Sequence, residues 1–124
     1  CGNPITMRAG LAALKEYSAP RFWDSLADKT EYFCRGLNRL LPAALVPYCG
    51  GMFSIGFGVE RLRDHRDAHR LSAEIFANFF HQALAEGVYL PPSTWDAAAL
   101  SAAHNESDLD LCLEKLSRAA KVLQ

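Results

Sequence analysis

The chain has 124 residues, half of them apolar, and its 13 basic and 14 acidic side chains leave a formal net charge of -1. This size and composition predict one domain with a hydrophobic core. Because there is no basic tail or dense run of Lys and Arg, a nucleic-acid-binding function is excluded. No apolar stretch is long enough to cross a bilayer, so we expect a soluble, cytoplasmic protein without a membrane partner.

The four cysteines, at positions 1, 34, 49 and 112, are scattered and form no C-x-x-C pair. This spacing favours free thiols in a reducing compartment over a disulfide framework or a zinc site. The chain opens on Cys-Gly-Asn-Pro without an initiator Met. This opening is compatible with a piece of a longer polypeptide.

Two helices are predicted in the first third of the chain. Asn3-Pro4 is typical of an N-cap followed by proline at the first helical position. The ten residues that follow are nearly all small or apolar, which predicts a helix that is buried on several sides. A second, amphipathic helix is predicted from Ala19-Pro20 to Pro42, with an apolar stripe at a spacing close to 3.6.

Short strands are predicted in the middle of the chain. Residues 46–48 form one, which Pro47 confines to a sheet edge. Residues 51–57 form the second, because Phe53, Ile55 and Phe57 alternate with smaller or polar side chains. Val88–Leu90 is predicted as the third, and residues 98–102 are a weaker candidate.

A third helix is predicted from about Asp67 to Glu86, with Gly87 as its C-terminal stop. A last helix is predicted with Ser107 as its cap and acidic residues in its first turn. The order of elements predicts an α+β fold, in which a small antiparallel sheet of about three strands is covered by helices.

His65 and His69 are four residues apart, as two metal ligands on one helix face would be. A third ligand is missing, and three arginines and two aspartates crowd the same segment. Solvated charges around a helix start are therefore the favoured interpretation, and we expect no metal site. The lysines at positions 15, 29, 115 and 121 lie at predicted exposed helix positions, which does not favour a desolvated catalytic lysine.

The stretch "GVYLPPSTWD", residues 87–96, is the most distinctive in the chain. A strand that ends in Pro-Pro-Ser before an indole and a carboxylate is able to hold Asp96 at a sheet edge, where a polar substrate meets it. Asp96 as a loop residue that caps local amides fits the same spacing.

Four segments together resemble the C-terminal part of glutamate-1-semialdehyde 2,1-aminomutase, a pyridoxal-phosphate enzyme of the class-III aminotransferase group with the type I fold. They are "GNPITMRAGLAALKE" (2–16), "GGMFSIGF" (50–57), "FFHQALAEGVYLPPS" (79–93) and "LSAAHNESDLD" (100–110). The resemblance implies that residues 1–18 lead from a large cofactor-binding domain, and that residues 19–124 are the C-terminal small domain.

The family's enzyme is a homodimer that moves an amino group within glutamate-1-semialdehyde to make 5-aminolevulinate for tetrapyrrole biosynthesis. The resemblance implies that the cofactor lysine, the aspartate at the pyridine nitrogen and the stacking aromatic precede residue 1. The isolated segment is then inactive and contains no catalytic residue. Cys1, in the place of a family serine, is expected with Gly2 and Asn3 near the cofactor phosphate.

The resemblance also implies a role for the distinctive stretch. The family pattern is Pro-Ser-Gln-Phe-Glu, with the glutamate facing the substrate, and here residues 92–96 read Pro-Ser-Thr-Trp-Asp. Asp96 and Ser93 are therefore the expected substrate-facing residues, with a carboxylate one methylene shorter. The alternatives are another class-III aminotransferase, or a non-catalytic dimerisation or interaction module.

Overall fold

The computed structural model describes residues 2–123. The α-helices in this range are α1 (Pro4–Tyr17), α2 (Phe22–Leu40), α3 (His65–Ala68), α4 (Ala73–Ala85) and α5 (Glu106–Ala119), and a 3-10 helix spans Ala120–Leu123. The strands are β1 (Ala44–Leu45), β2 (Tyr48–Cys49), β3 (Met52–Phe53), β4 (Gly56–Phe57) and β5 (Ala98–Ala99). None of these helices is long and apolar enough to span a membrane.

The strands form two small antiparallel sheets. One pairs β1 with β4, and the other has the order β2-β3-β5. The predicted α+β class is therefore confirmed, although the expected single sheet is divided in two. Residues 54–55 lie between β3 and β4 along the chain and belong to neither sheet. They therefore interrupt the single strand that was predicted over 51–57.

The core lies between the sheets and helices α2, α4 and α5. Phe33 of α2 meets Phe53 of β3 edge to face, with ring centroids 5.4 Å apart, and Phe57 meets Phe79 of α4 at 5.8 Å. The inward side predicted for residues 51–57 is confirmed, because Phe53, Ile55 and Phe57 are all buried. The opposite side is exposed at Met52 and half-buried at Ser54, but Gly56 is buried as well. A sheet face that is buried on one side requires this period-2 pattern.

Cys34 and Gly36 show how closely α2 packs. Burial raises the pKa of the Cys34 thiol from 9.0 to about 12. A side chain at Gly36 would place its Cβ 2.6 Å from Leu113 Cδ1 of α5, so the glycine permits the close approach of the two helices. The cysteines at positions 34, 49 and 112 are free thiols.

The start of α1 is confirmed, since the Asn3 side chain accepts a hydrogen bond from the Ile5 N–H at 2.9 Å. The predicted start of α2 at Ala19-Pro20 is wrong, because this helix begins at Phe22. Arg21, with φ of 63°, is in the left-handed conformation and separates the two helices. The predicted end is confirmed, since α2 stops at Leu40, before Pro42.

The hairpin between β2 and β3 turns at Gly50-Gly51, where Gly50 has φ of 56°. The prediction of a strand at Val88–Leu90 is wrong: this segment forms no ladder with the described strands. Val88 and Leu90 are nevertheless buried and Tyr89 is exposed. The burial of this segment alternates as a strand on a sheet face would, but its tertiary position gives it no neighbouring strand.

The single helix predicted from Asp67 to Glu86 is two helices in the structure, α3 and α4. Ser72 separates them: its N–H donates to the Phe57 carbonyl at 2.9 Å, and its hydroxyl accepts from the Ile75 N–H at 3.3 Å as the N-cap of α4. The C-terminal stop at Gly87, with φ of 81°, is confirmed. A serine cap inside a periodic stretch was the signal for the break.

The last helix begins earlier than predicted. Asn105, not Ser107, is the N-cap of α5: its side chain accepts from the Asp108 N–H, and the Asp108 carboxylate accepts from the Asn105 N–H, both at 3.0 Å. This reciprocal capping box satisfies two N–H groups that the helix leaves free. Ser107 instead lies in the first turn and donates its hydroxyl hydrogen to Asn105.

Candidate functional site

Residues 91–97 form a loop that joins the buried end of Val88–Leu90 to β5. Its innermost side chain is Thr94, which is 4% exposed. The Thr94 hydroxyl donates to the Ile55 carbonyl, between β3 and β4, at 3.3 Å. This bond fastens the loop to the connection between the two sheets.

Trp95 fastens the same loop on its other side. Its indole Nε1–H donates to the carbonyl of Ala68, the last residue of α3, at 3.0 Å, although the side chain is 59% exposed. Sequence reasoning missed the anchoring roles of Thr94 and Trp95. A threonine and an indole in a polar turn gave no signal of the distant carbonyls that they reach.

Ser93 and Asp96 lie at the two ends of a turn. The Ser93 hydroxyl accepts from the Trp95 N–H at 3.2 Å, and the Ser93 carbonyl accepts from the Asp96 N–H at 3.1 Å. The Ser54 hydroxyl donates to the Asp96 carbonyl at 3.5 Å. The structure thus brings these two predicted site residues together and holds their backbone.

The Asp96 side chain is exposed. Among residues 2–123 its carboxylate has no hydrogen-bond or salt-bridge partner, in contrast to Asp64 and Asp108, which cap helices. The interpretation of Asp96 as a cap for local amides therefore does not agree with the structure. Its carboxylate is exposed, and the loop that carries it is held at three backbone groups, the N–H of Trp95 and the N–H and carbonyl of Asp96.

The loop borders a cavity of about 10 Å³, between Ser54, Ser93, Asp96 and the apolar side chains beneath them. A single water molecule needs about 10–15 Å³. The described residues alone therefore enclose no pocket for a substrate at Asp96. A substrate site at this loop would need further residues on its other sides.

The residues expected near a cofactor phosphate lie elsewhere. Gly2 and Asn3 are exposed at the start of α1, where the Asn3 side chain is occupied as the N-cap. Cys1 lies outside the described residues. Within residues 2–123, no hydrogen bond joins Gly2 or Asn3 to Ser93 or Asp96.

Helix α1 is the most exposed apolar element. None of its residues is buried, so residues 2–123 do not supply the cover that was predicted for several sides of this helix. Ile5 is 79% exposed, and three further apolar side chains are more than half exposed. The last residue of α1, Tyr17, packs its ring against Phe22 and Trp23, with centroids 5.3 and 5.4 Å away.

The remaining candidate groups do not complete a catalytic site. Lys29 donates its ammonium hydrogens to the carbonyls of Ala102 and His104, at 2.9 and 2.8 Å, and so ties the loop before α5 to α2. His65 and His69 are exposed and lie beside each other. Within residues 2–123 no three His, Cys, Asp or Glu side chains are placed to hold a metal ion together.

No known protein-family model matches the chain. Among solved structures it is similar to an omega-transaminase from Sphaerobacter thermophilus, with 18% identity and a TM-score of 0.78 over 96% of this chain. It is also similar to a transaminase with PLP (pyridoxal phosphate) bound, with 15% identity and a TM-score of 0.77 over 98% of this chain. The chain spans 28% of the length of each. At these identities the comparison shows a shared fold, that of one part of a transaminase chain.

Proposed function

We propose that this chain is the small-domain part of a pyridoxal-phosphate enzyme of the class-III aminotransferase group, and that the whole enzyme is a glutamate-1-semialdehyde 2,1-aminomutase. In this proposal residues 1–18 lead from the large domain and residues 19–124 are the small domain. The substrate is glutamate-1-semialdehyde or a similar amino acid, and the parent protein is a cytoplasmic homodimer. The observation that carries the proposal is the fold shared with two transaminases over nearly the whole chain.

Two further observations support it. The four segments that resemble the aminomutase family occur in the same order along the chain. The exposed apolar side chains of α1 need cover from outside this chain, since apolar surface of this extent is costly in water. A large domain that continues from α1, or a second subunit, supplies that cover.

The cofactor, when bound, supplies the electron-withdrawing group that makes amino transfer possible. The described residues offer little to hold it, because the Asn3 side chain caps α1 and Lys29 is tied to two carbonyls. Among residues 2–123, a contact near its phosphate, from Gly2 and the backbone at the start of α1, is the one that fits. The cofactor is therefore held by the large domain in this proposal.

Asp96 and Ser93 have the role of the substrate-facing wall. The carboxylate of Asp96 orients the substrate amino group, and Ser93 keeps the turn that presents it. Correct orientation contributes to rate because a displacement of about 1 Å at a reacting group costs about a hundredfold. Closing this wall over the large domain also excludes water from the reaction.

The test replaces Asp96 in the full enzyme. Asp96→Asn preserves shape but removes the charge, and we expect kcat/KM for glutamate-1-semialdehyde to fall by about 10- to 100-fold. Asp24→Asn, at an exposed aspartate in the first turn of α2, is the matched control and should leave turnover unchanged. Unchanged turnover in Asp96→Asn would remove Asp96 from the site.

The cofactor assignment is tested separately by borohydride reduction of the full enzyme with pyridoxal phosphate, followed by mass spectrometry. A single modified lysine outside this chain is expected. A stoichiometric adduct within it would contradict the division of roles; the lysines in question are Lys15, Lys29, Lys115 and Lys121.

The second candidate is a class-III aminotransferase that exchanges amino groups between two substrates, and the names of both similar structures favour it. The two differ in one requirement. An aminomutase converts its substrate without an added amino acceptor, whereas an aminotransferase stops after the first half-reaction, with the amino group held on the enzyme, until an acceptor is supplied.

A further inference from the structure

The imidazoles of His65 and His69 lie beside each other at α3. Their Nε2 atoms are 2.9 Å apart, and their rings meet nearly edge to face at 70°, with centroids 4.3 Å apart. Between two neutral imidazoles this contact holds one N–H hydrogen. When the two exposed rings turn toward a common point, the same nitrogens are able to bind one metal ion in place of the shared hydrogen.

The observed separation of the two nitrogens favours one angle at such an ion. With metal–nitrogen bonds of about 2.0–2.1 Å, a separation of 2.9 Å corresponds to an N–metal–N angle of about 90°. A tetrahedral angle needs a separation of about 3.3–3.4 Å at the same bond length. Right-angled nitrogen ligands are typical of tetragonal Cu²⁺ or Ni²⁺ sites.

Hydrogen bonds hold the backbone of α3 in place and leave both imidazoles accessible. The Asp64 carboxylate accepts from the N–H groups of Arg66 and Asp67, at 2.9 and 3.1 Å, as the N-cap of α3. Both imidazoles remain exposed. The backbone that carries both ligands is therefore already ordered before an ion binds, and only the two rings need to turn.

The charges near the pair are mostly balanced. Arg66 pairs with Asp64 at 3.4 Å, and Arg70 with Asp67 at 3.9 Å. Arg63, which donates its backbone N–H to Asp67, leaves the segment with one excess positive charge. The local charge therefore does not attract a cation, and binding depends on the two nitrogen donors. The order in which ions bind then follows their affinity for imidazole.

We propose that His65 and His69 form a bidentate surface site for a late transition-metal ion, with water completing the coordination. Cu²⁺ binds more tightly than Ni²⁺ at this site, because nitrogen ligands have a higher affinity for Cu²⁺. The site is independent of the proposed enzymatic function. It differs from the sequence-based expectation of no metal, which rested on the missing third ligand, and the experiments below decide between the two.

Calorimetric titration of the chain with Ni²⁺ tests the proposal, with thiols blocked beforehand. One saturable site is expected, and His65→Gln and His69→Gln should each weaken it by at least about tenfold, since losing even an outer-shell partner costs that much. His81→Gln, at an exposed histidine on α4, is the matched control and should bind as the unchanged protein does. Binding that survives both substitutions, or no saturable binding, would overturn the proposal.

Fluorescence gives a second readout that does not depend on heat. The chain has two tryptophans, and the indole of Trp95 is hydrogen-bonded to Ala68 in the same short helix as His65. In Trp23→Phe, Cu²⁺ should quench the emission of Trp95 at a lower concentration than Ni²⁺ does. Zn²⁺ competing as strongly as Cu²⁺ would overturn the right-angled geometry, and quenching that persists in His65→Gln would overturn the site.

Discussion

Helices α1 and α2 are both rich in apolar residues, but only α2 is covered by the rest of the chain. α2 buries five side chains, at Leu26, Thr30, Phe33, Cys34 and Leu37, and packs against α5, β2 and β3. α1 buries none of its 14 residues. Apolar content thus predicts that a helix needs cover, while the arrangement of the other elements decides where that cover comes from.

The largest expected effect on the free energy of unfolding is at the buried face of α2. Leu37 of α2 is 0% exposed, so Leu37→Ala removes packing and leaves a cavity, at a cost of about 2–5 kcal/mol in the free energy of unfolding. Urea denaturation of the chain measures this cost. A loss under 1 kcal/mol would mean that α2 is not held in the core as the structure shows.

A smaller effect is expected at the loop that carries Asp96. Thr94→Val keeps the shape but removes the donor to the Ile55 carbonyl, at a cost of about 1–2 kcal/mol for a buried group left unpaired. The control is Thr30→Val in α2, where the hydroxyl bonds to a carbonyl of its own helix. That carbonyl already accepts a helical N–H, so the control should cost less. Equal costs in denaturant would contradict the anchoring role of Thr94.

The buried thiol of α2 predicts a dependence on pH. The pKa of Cys34 is raised to about 12 by burial, so above about pH 9 the unfolded chain loses the proton while the folded chain keeps it. Stability is then fully present below pH 9 and falls as the pH rises towards 12, by at most about 1.4 kcal/mol per pH unit.

Cys34→Ala isolates this contribution, because the variant lacks the thiol. Its stability between pH 8 and pH 10 should fall less steeply than that of the unchanged chain. Cys49→Ala, at an exposed thiol, is the control and should retain the steeper fall. Parallel curves for all three proteins would contradict the burial of Cys34.

The smallest effect is expected on α1. Leu11 is 59% exposed, so Leu11→Ala should change the stability of this chain by no more than about 0.5 kcal/mol. In the larger enzyme that we propose, where α1 is covered, the same substitution should cost about 2–5 kcal/mol. Thermal unfolding of both proteins measures the difference, and equal small costs would count against that cover.

Much of the fold is readable from local chemistry. The Asn3 cap, the apolar stripe of α2 and the stop at Gly87 depend on neighbours within one or two turns, and the structure confirms each. The break at Ser72 and the cap at Asn105 were also local, and they were missed because the apolar period continued across them. The positions of Ser93 and Asp96 in one turn were likewise accessible from the Pro-Pro-Ser sequence.

The sequence by itself determined the α+β class, the inward face of residues 53–57 and the stop at Gly87, because side-chain period and turn chemistry act over a few residues. Only the tertiary structure decided that Val88–Leu90 has no strand partner, that Thr94 and Trp95 reach distant carbonyls, and that α1 is bare. The reason is physical: a ladder, an anchor or a covered face needs a second element, and its position is set by the packing of the whole chain.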